Sequence, residues 1–345
     1  MTLSISTPSE PTTDRARKPT TPKTKSSSSE STSSITPPHT PTALSTSAHA
    51  LLTTLHEINT TILTLPSLAP SPTVNTLLTH LVDLCIAPYP PSFSTYFFSL
   101  PSVTPLCTSL RPLCATAEGL LEAHWASRML ATARSSPTGT TPEEVLRVFP
   151  YYGNYVDLSR LECNTLATYL PLSSGDGKND VQSVAFLGSG PLPLSSMCML
   201  SHFPRAKMYN VDRDTGALAM SRELCVALGY ERMEFVGADV NDVTGDGRRI
   251  EAEKQEEWMQ SDVVFLAALV GEDTPSKIGI LEGLVRRLRP GTLVVARSAR
   301  GMRGVVYPVL ELTEEIEKVG LEILVEVHPW TKVVNSVVVM RVKER

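Results

Sequence analysis

From Val181 onward, short continuous apolar runs alternate with longer stretches in which apolar residues return every three or four positions. The runs are Val181 to Leu187, Lys207 to Asp212, Arg232 to Asp239, Asp262 to Ala268, Thr292 to Ser298, Leu321 to His328 and Val333 to Val342. Their length and their Val, Ile and Phe content predict strands buried on both faces. Helical spacing between most of them, as in Pro191 to Phe203, predicts right-handed crossovers and a mostly parallel, doubly wound α/β sheet. Only Pro329 to Lys332 separates the last two runs, too few residues for a helical crossover. They are therefore expected to form an antiparallel hairpin at one edge, reversing the last strand.

The first half reads differently. Residues 1–46 are dominated by Ser, Thr and Pro and hold almost no large apolar side chains, so they cannot bury enough surface to offset their ordering entropy. A disordered tail is expected there. Arg15, Arg17, Lys18, Lys23 and Lys25 would suit an organelle presequence, but Glu10, Asp14 and repeated prolines oppose an amphipathic helix. A cytoplasmic protein is the expectation. Helical spacing follows in Leu51 to Leu65, Leu77 to Ile86 and Leu110 to Ala133, which predicts an N-terminal helical domain over 47–175 ahead of a sheet domain over 176–345.

Length and charge narrow the function classes. A chain of 345 residues can bury a sizeable core, and its net charge of −5 gives no footprint for nucleic acid. No apolar stretch reaches transmembrane length, so no membrane association is expected. The six cysteines lack paired zinc spacing and several sit in apolar helical contexts, which favours buried thiols in a reducing compartment. His124, His202 and His328 show no metal-ligand spacing and read as structural.

Chemistry enters at Val184-Ala-Phe-Leu-Gly-Ser-Gly-Pro-Leu-Pro-Leu194, where a strand runs into a helix through Gly188, Ser189 and Gly190. Such a turn lets backbone approach a ligand at the carboxyl ends of parallel strands, and Asp212, at the end of the next strand, is placed to accept ribose hydroxyls. Pro191 and Pro193 stand where a pyrophosphate would need free backbone donors. A nucleoside without phosphates fits better, and S-adenosylmethionine (SAM) is one. The bland alternative is a tight turn of any α/β domain. Asp239, closing the third strand, suits the adenine amino group or, equally, a helix N-cap. Ala267, in Leu266-Ala-Ala-Leu-Val-Gly271, completes the expected nucleoside contacts. That segment lacks the Asn/Asp-Pro-Pro-aromatic signature of amine and base methyltransferases. The whole arrangement is that of a Rossmann-like class I SAM-dependent transferase.

The resemblance sharpens in Leu110-Arg-Pro-Leu-Cys114 with Ala117-Glu-Gly-Leu-Leu-Glu122, in Phe149-Pro-Tyr-Tyr-Gly-Asn-Tyr155, in Val184 to Leu194, in Asp262 to Gly271, in Arg297-Ser-Ala-Arg-Gly-Met-Arg303 and in His328-Pro329. Together, and in order from Leu110 to the C-terminus, they look like nicotianamine synthase. The resemblance implies successive 3-amino-3-carboxypropyl transfers that condense three SAM molecules into nicotianamine, a metal-chelating polycarboxylate, with release of methylthioadenosine. It implies SAM as substrate, no metal in catalysis, a role in iron or zinc homeostasis and, as an open assembly question, a homodimer. Transfer of one unit to another amine, a class I methyltransferase and a SAM-binding sensor are the alternatives.

That reaction needs a base for an ammonium proton. On an ideal helix Glu118 and Glu122 share a stripe with Trp125 and Met129 beside an apolar face, where desolvation and mutual repulsion raise carboxylate pKa values. Glu118, Glu122, Tyr152 and Tyr155, with Tyr151 beside them, are the candidate base and relay; a solvated helix face and ordinary aromatic packing are the competing readings. Arg297, Arg300 and Arg303 follow a strand end and suit substrate carboxylates, or else are surface arginines, with at most one or two pointing inward.

Overall fold

The computed structural model describes residues 42–135, 140–170, 180–240 and 257–344. All but the last residues of the expected tail, 42–46, lie outside them, and so does the boundary expected at 175/176. The tail ends sooner than expected, because helix α1 (Ala43–Thr64) starts at Ala43. The Thr42 side chain caps it by accepting from Ser45 N–H, so serines and threonines that read as tail form the first turn.

Four further helices and one long one build the rest of the N-terminal part: α2 (Pro72–Ile86), α3 (Pro91–Ser99), α4 (Val103–Ser135), α5 (Pro142–Leu146) and α6 (Tyr152–Ala167). Helix α4 is longer than the spacing predicts and runs through Pro112. The bond lost at proline is offset by tertiary packing: Leu106, Cys107 and Leu110 are buried with Met302, Val305 and Val306, and Arg111 donates to Gly304 O at 2.6 and 3.1 Å. 

Seven strands follow the sequence pattern closely: β1 (Ser183–Leu187), β2 (Lys207–Asp212), β3 (Met233–Gly237), β4 (Val263–Leu266), β5 (Leu293–Ser298), β6 (Leu321–Val327) and β7 (Ser336–Val342), in the order β3-β2-β1-β4-β5-β7-β6. Neighbours from β3 to β5 are parallel, and β7 inserts antiparallel between β5 and β6. The hairpin is thus present, with its second strand inside the sheet rather than at the edge. Helix α7 covers only Leu194–Met199, because Pro191 and Pro193 hold the chain non-helical before it.

Alternate strand residues serve opposite faces. Val184, Phe186, Val295 and Val337 pack under α4, α6, α7 and α8 (Thr215–Ala227), whereas Ala185, Leu187, Val294 and Val338 pack under α9 (Thr274–Val285) and α10 (Glu314–Lys318). Both faces are covered, which is why the strands read as uninterrupted apolar runs. Met129 and Leu130 of α4 belong to the same core as the sheet, and residues 41–345 form one compact unit. The later part of α4, with α5 and α6, thus joins the core beneath the sheet, while α1, α2, α3 and the start of α4 pack a cluster of their own with Met302, Val305 and Val306.

Candidate active site

The carboxyl ends of β1, β2, β4 and β5 open into a cavity of about 400 Å³ whose other wall comes from α4 and α6. Gly188 and Gly190 have φ of 78° and 64°, a region glycine enters without strain. A Cβ on Gly188 would collide with Val270, so the strand β4 loop can close against the turn only over glycine. The turn's amides face the protein: Gly188 and Ser189 donate to Val211 O at 2.8 and 3.3 Å, and Gly190 donates to Asp212 Oδ2 at 2.8 Å. None of these three backbone amides is left for a phosphate, in line with the prolines that follow.

Asp212 ends β2 on the cavity wall and also accepts from Asp214 N–H at 2.9 Å, which fixes its carboxylate while leaving lone pairs toward the cavity. Asp239 lies on the exposed rim two residues beyond β3, and Ala267 lies on the floor. The loop carrying Ala267 is braced from below by Lys277, fully buried, whose Nζ donates to Ala268 O at 2.9 Å and Val270 O at 2.8 Å. Burial pulls the Lys277 pKa down to about 7.

Glu118 and Glu122 face the cavity from α4, one helical turn apart. Tyr307 donates to Glu118 Oε2 at 2.7 Å and Tyr155 donates to Glu122 Oε1 at 2.8 Å. Desolvation raises the Glu118 pKa against the opposing effects of the Tyr307 bond and Arg297. Glu122 is pushed up to about 8, by desolvation first and then by the charge of Glu118. Both phenols are held well above their usual range, by burial and by the carboxylates they serve. Burial and mutual repulsion therefore make both carboxyls easier to protonate than free carboxylates. One wall can both accept and hold a proton.

Arg297 lines the same cavity, 7 % exposed. Its Nε and Nη2 grip Glu162 at 2.7 and 2.9 Å, and Nη2 also donates to Ser195 Oγ at 2.8 Å. Burial lowers the Arg297 pKa, but Glu162 outweighs it and the guanidinium stays charged. Nη1 donates to no group among the described residues, so one face of the guanidinium is left for a ligand.

The other expected residues lie elsewhere. Arg300 stands past the end of β5, exposed and 3.4 Å from Glu326. Arg303 falls in the 3-10 turn Gly301–Val305, which rotates it away; it donates to Thr331 O at 2.9 Å and lies 3.2 Å from His328 Nε2. His328 bonds Ser336 Oγ at 2.9 Å, and its pKa is lowered to about 4 by burial and by Arg303 and Arg300, which makes it a neutral structural imidazole. Tyr152 packs beneath the Arg147 guanidinium, 5.8 Å from it, outside the cavity lining, and Tyr151 is exposed. Tyr152, Arg300 and Arg303 thus lie outside the cavity lining, where local packing at the start of α6 and beyond β5 holds them.

Tyr307, Glu162 and Lys277 went unnoticed in the sequence. Nothing in helical spacing marks Lys277 or Glu162 as buried, and Tyr307 follows an irregular turn with no periodicity.

The sequence profile described as "Nicotianamine synthase protein" matches residues 44–345. The chain belongs to the nicotianamine synthase family. Nicotianamine synthase 9 of Hordeum vulgare is 41% identical over 280 residues, 80% of this chain and 74% of that protein. Nicotianamine synthase 2 of Oryza sativa subsp. japonica is 38% identical over 297 residues, 85% and 82% of the two chains. The fold is similar to crystal structures of MtNAS, one a mutant in complex with S-adenosylmethionine and one in complex with MTA and tNA, each with a TM-score of 0.64 and 20% identity, covering 84% and 87% of this chain and 97% and 98% of theirs. Among the described residues no helix is long and apolar enough to cross a membrane, and no group of three or more His, Cys, Asp or Glu is placed to hold a metal ion.

Proposed function

We propose that this enzyme condenses three SAM molecules into nicotianamine by successive aminocarboxypropyl transfer. The observation that carries the reading is the meeting of two pKa-raised, tyrosine-bonded carboxylates, Glu118 and Glu122, with a phosphate-free nucleoside turn in one cavity.

Adenosine would lie over Gly188 to Gly190, its ribose on Asp212 and its adenine near Asp239. The acceptor's α-ammonium gives a proton to Glu118 or Glu122, and the freed nitrogen lone pair attacks the γ-carbon of the donor. The C–S electron pair leaves with sulfur, turning a cationic sulfonium into neutral methylthioadenosine, so the leaving group needs no acid. Fixing amine, carbon and sulfur in line supplies much of the rate. The acid-lined wall of Glu118, Glu122, Asp212, Asp239 and Glu272 suits a substrate carrying sulfonium and ammonium charges. Nicotianamine chelates metal ions, so the reading extends to a part in metal handling, with the cytoplasm as the proposed location.

Mass spectrometry after incubation with SAM alone tests the reading. Nicotianamine with about three methylthioadenosines for each is the expected result: two leave as the two intermolecular N–C bonds form, and the third when the amine of the remaining unit closes on its own γ-carbon and displaces its sulfur. S-adenosylhomocysteine would instead mark methyl transfer, and no product without a second amine would mark single transfer.

A further inference from the structure

We propose that Asn335 is a substrate-binding residue that, with Arg297, holds a carboxylate of the acceptor chain. The inference rests on the aminocarboxypropyl-transfer reading and adds to it a residue and a ligand group.

Asn335 lies just before β7 and lines the cavity, 7 % exposed. The positions that alternate with it on the same face are Val337 and Val339, both fully buried in the core beneath the helices. An amide at the next position along this apolar face is the costly choice, unless the face there meets something polar. No protein group fills that role: its Nδ2 is cut off from solvent and has no acceptor among the described residues. A half-turn about χ2 exchanges the two ends of the amide, so either can be turned to the cavity.

Register supplies the second donor. Arg297 pairs with Val337 across β5 and β7, so Asn335 is its diagonal neighbour on the same face. Such positions lie within reach of long side chains. Arg297 Nη1, left over from the Glu162 and Ser195 bonds, and the Asn335 amide therefore converge on one region of the cavity. Elsewhere on the wall the side-chain donors include the Ser189 and Ser196 hydroxyls and Arg213, which is exposed, whereas Arg297 is buried. The amides of Gly188, Ser189 and Gly190 are spent inside the protein, and the side chains around them include Glu118, Glu122, Asp212, Asp239 and Glu272. A substrate with one carboxylate per aminocarboxypropyl unit must place it away from those acids, and the Arg297–Asn335 corner offers a buried guanidinium together with an unpaired amide. Arg297 supplies charge and Asn335 supplies direction.

Calorimetric titration of wild type, Asn335→Ala and Asn335→Asp with nicotianamine and, separately, with methylthioadenosine tests this. Methylthioadenosine has no carboxylate and reports the nucleoside pocket and the fold. Asn335→Ala is expected to weaken nicotianamine by about tenfold, the loss of one charge-assisted hydrogen bond, and Asn335→Asp by more, through repulsion. Methylthioadenosine should change by less than about twofold, well under that loss. Three outcomes overturn the proposal: nicotianamine binding unchanged in both variants or absent in wild type; Asn335→Asp binding nicotianamine more tightly than Asn335→Ala, which would mean an ammonium partner; or both ligands weakening together, which would mean a structural role. The product assay with wild type and SAM alone judges the transfer reading independently of all three.

Discussion

Gly190 lies so close to Glu122 that a Cβ added to it would stand 2.7 Å from the Glu122 carboxylate oxygen. The nucleoside turn and the candidate acid–base residue therefore fix each other's position, and the same glycine gives its N–H to Asp212. Gly190→Ala must push the carboxylate aside and also strain a residue at φ 64°. The strain costs about 1 kcal/mol, whereas displacing a reacting group by about 1 Å costs on the order of a hundredfold in rate. We expect methylthioadenosine release to fall by roughly that factor while the denaturation midpoint moves little. A variant with normal turnover would show that the Glu122 position does not matter to the chemistry.

Tyr307 is not in the cavity lining, yet its hydroxyl is bonded to Glu118. That bond favours the carboxylate and opposes the upward push of burial. Tyr307→Phe removes it, so the Glu118 pKa rises further. If ionised Glu118 takes the amine proton, the acidic limb of the kcat/KM profile must move to higher pH, with activity partly recovered at alkaline pH. A limb that stays in place in Tyr307→Phe would remove Glu118 from the role of base.

Glu122 titrates at about 8 in the folded protein, raised by desolvation and Glu118, against an ordinary value of 4.5. Its raised pKa contributes stability that is present in full below the unfolded value and is lost as pH rises through the folded one. Glu122→Gln cannot ionise and still offers an oxygen to Tyr155. The variant should melt near wild type at pH 4 to 5 and higher than wild type by pH 8 to 9, by a few degrees if about 1–2 kcal/mol is recovered. Melting curves across that range check it, and a gap that shrinks with pH would contradict the assignment.

Much of this architecture was readable because its causes are local. Strands covered on both faces leave continuous apolar runs, and an intervening segment of a few residues forces an antiparallel pair, so the sheet from Ser183 to Val342 follows the pattern within a few residues at each strand end. That Gly188, Gly190 and Asp212 come together at one strand-end turn was legible because a turn and its following acid lie in fixed sequence relation. That Glu118 and Glu122 share one helix face was legible from helical spacing. What escaped depends on contacts between distant segments. Glu162 meets Arg297 across 135 positions and Tyr307 meets Glu118 across 189, and no periodicity carries such pairings. Breaking the first of them would leave a buried charge unpaired, at a cost of about 3–5 kcal/mol. The positions of Arg300 and Arg303 outside the cavity were not legible for a local reason: once β5 ends, an irregular turn sets direction.

Lys277 shows how far a buried charge can shape a site it never touches. Its amine bonds two carbonyls, Ala268 O and Val270 O, of the loop that forms the cavity floor, and its methylene stem packs against Gly271, where a Cβ would stand 2.7 Å from Lys277 Cγ. Lys277→Met keeps the stem but strips both carbonyls of their donor, at about 1–3 kcal/mol for each one left buried. Methylthioadenosine affinity should fall with stability, since Ala267 to Gly271 would relax. The pH dependence identifies the cause. Burial lowers the Lys277 pKa from 10.5 to about 7, so its contribution is present in full above the unfolded value and is lost as pH falls toward the folded one. Urea denaturation of wild type and Lys277→Met should therefore show a stability gap that widens from pH 7 to pH 10. A gap that is constant or narrows over that interval would mean that the amine stays fully charged in the core.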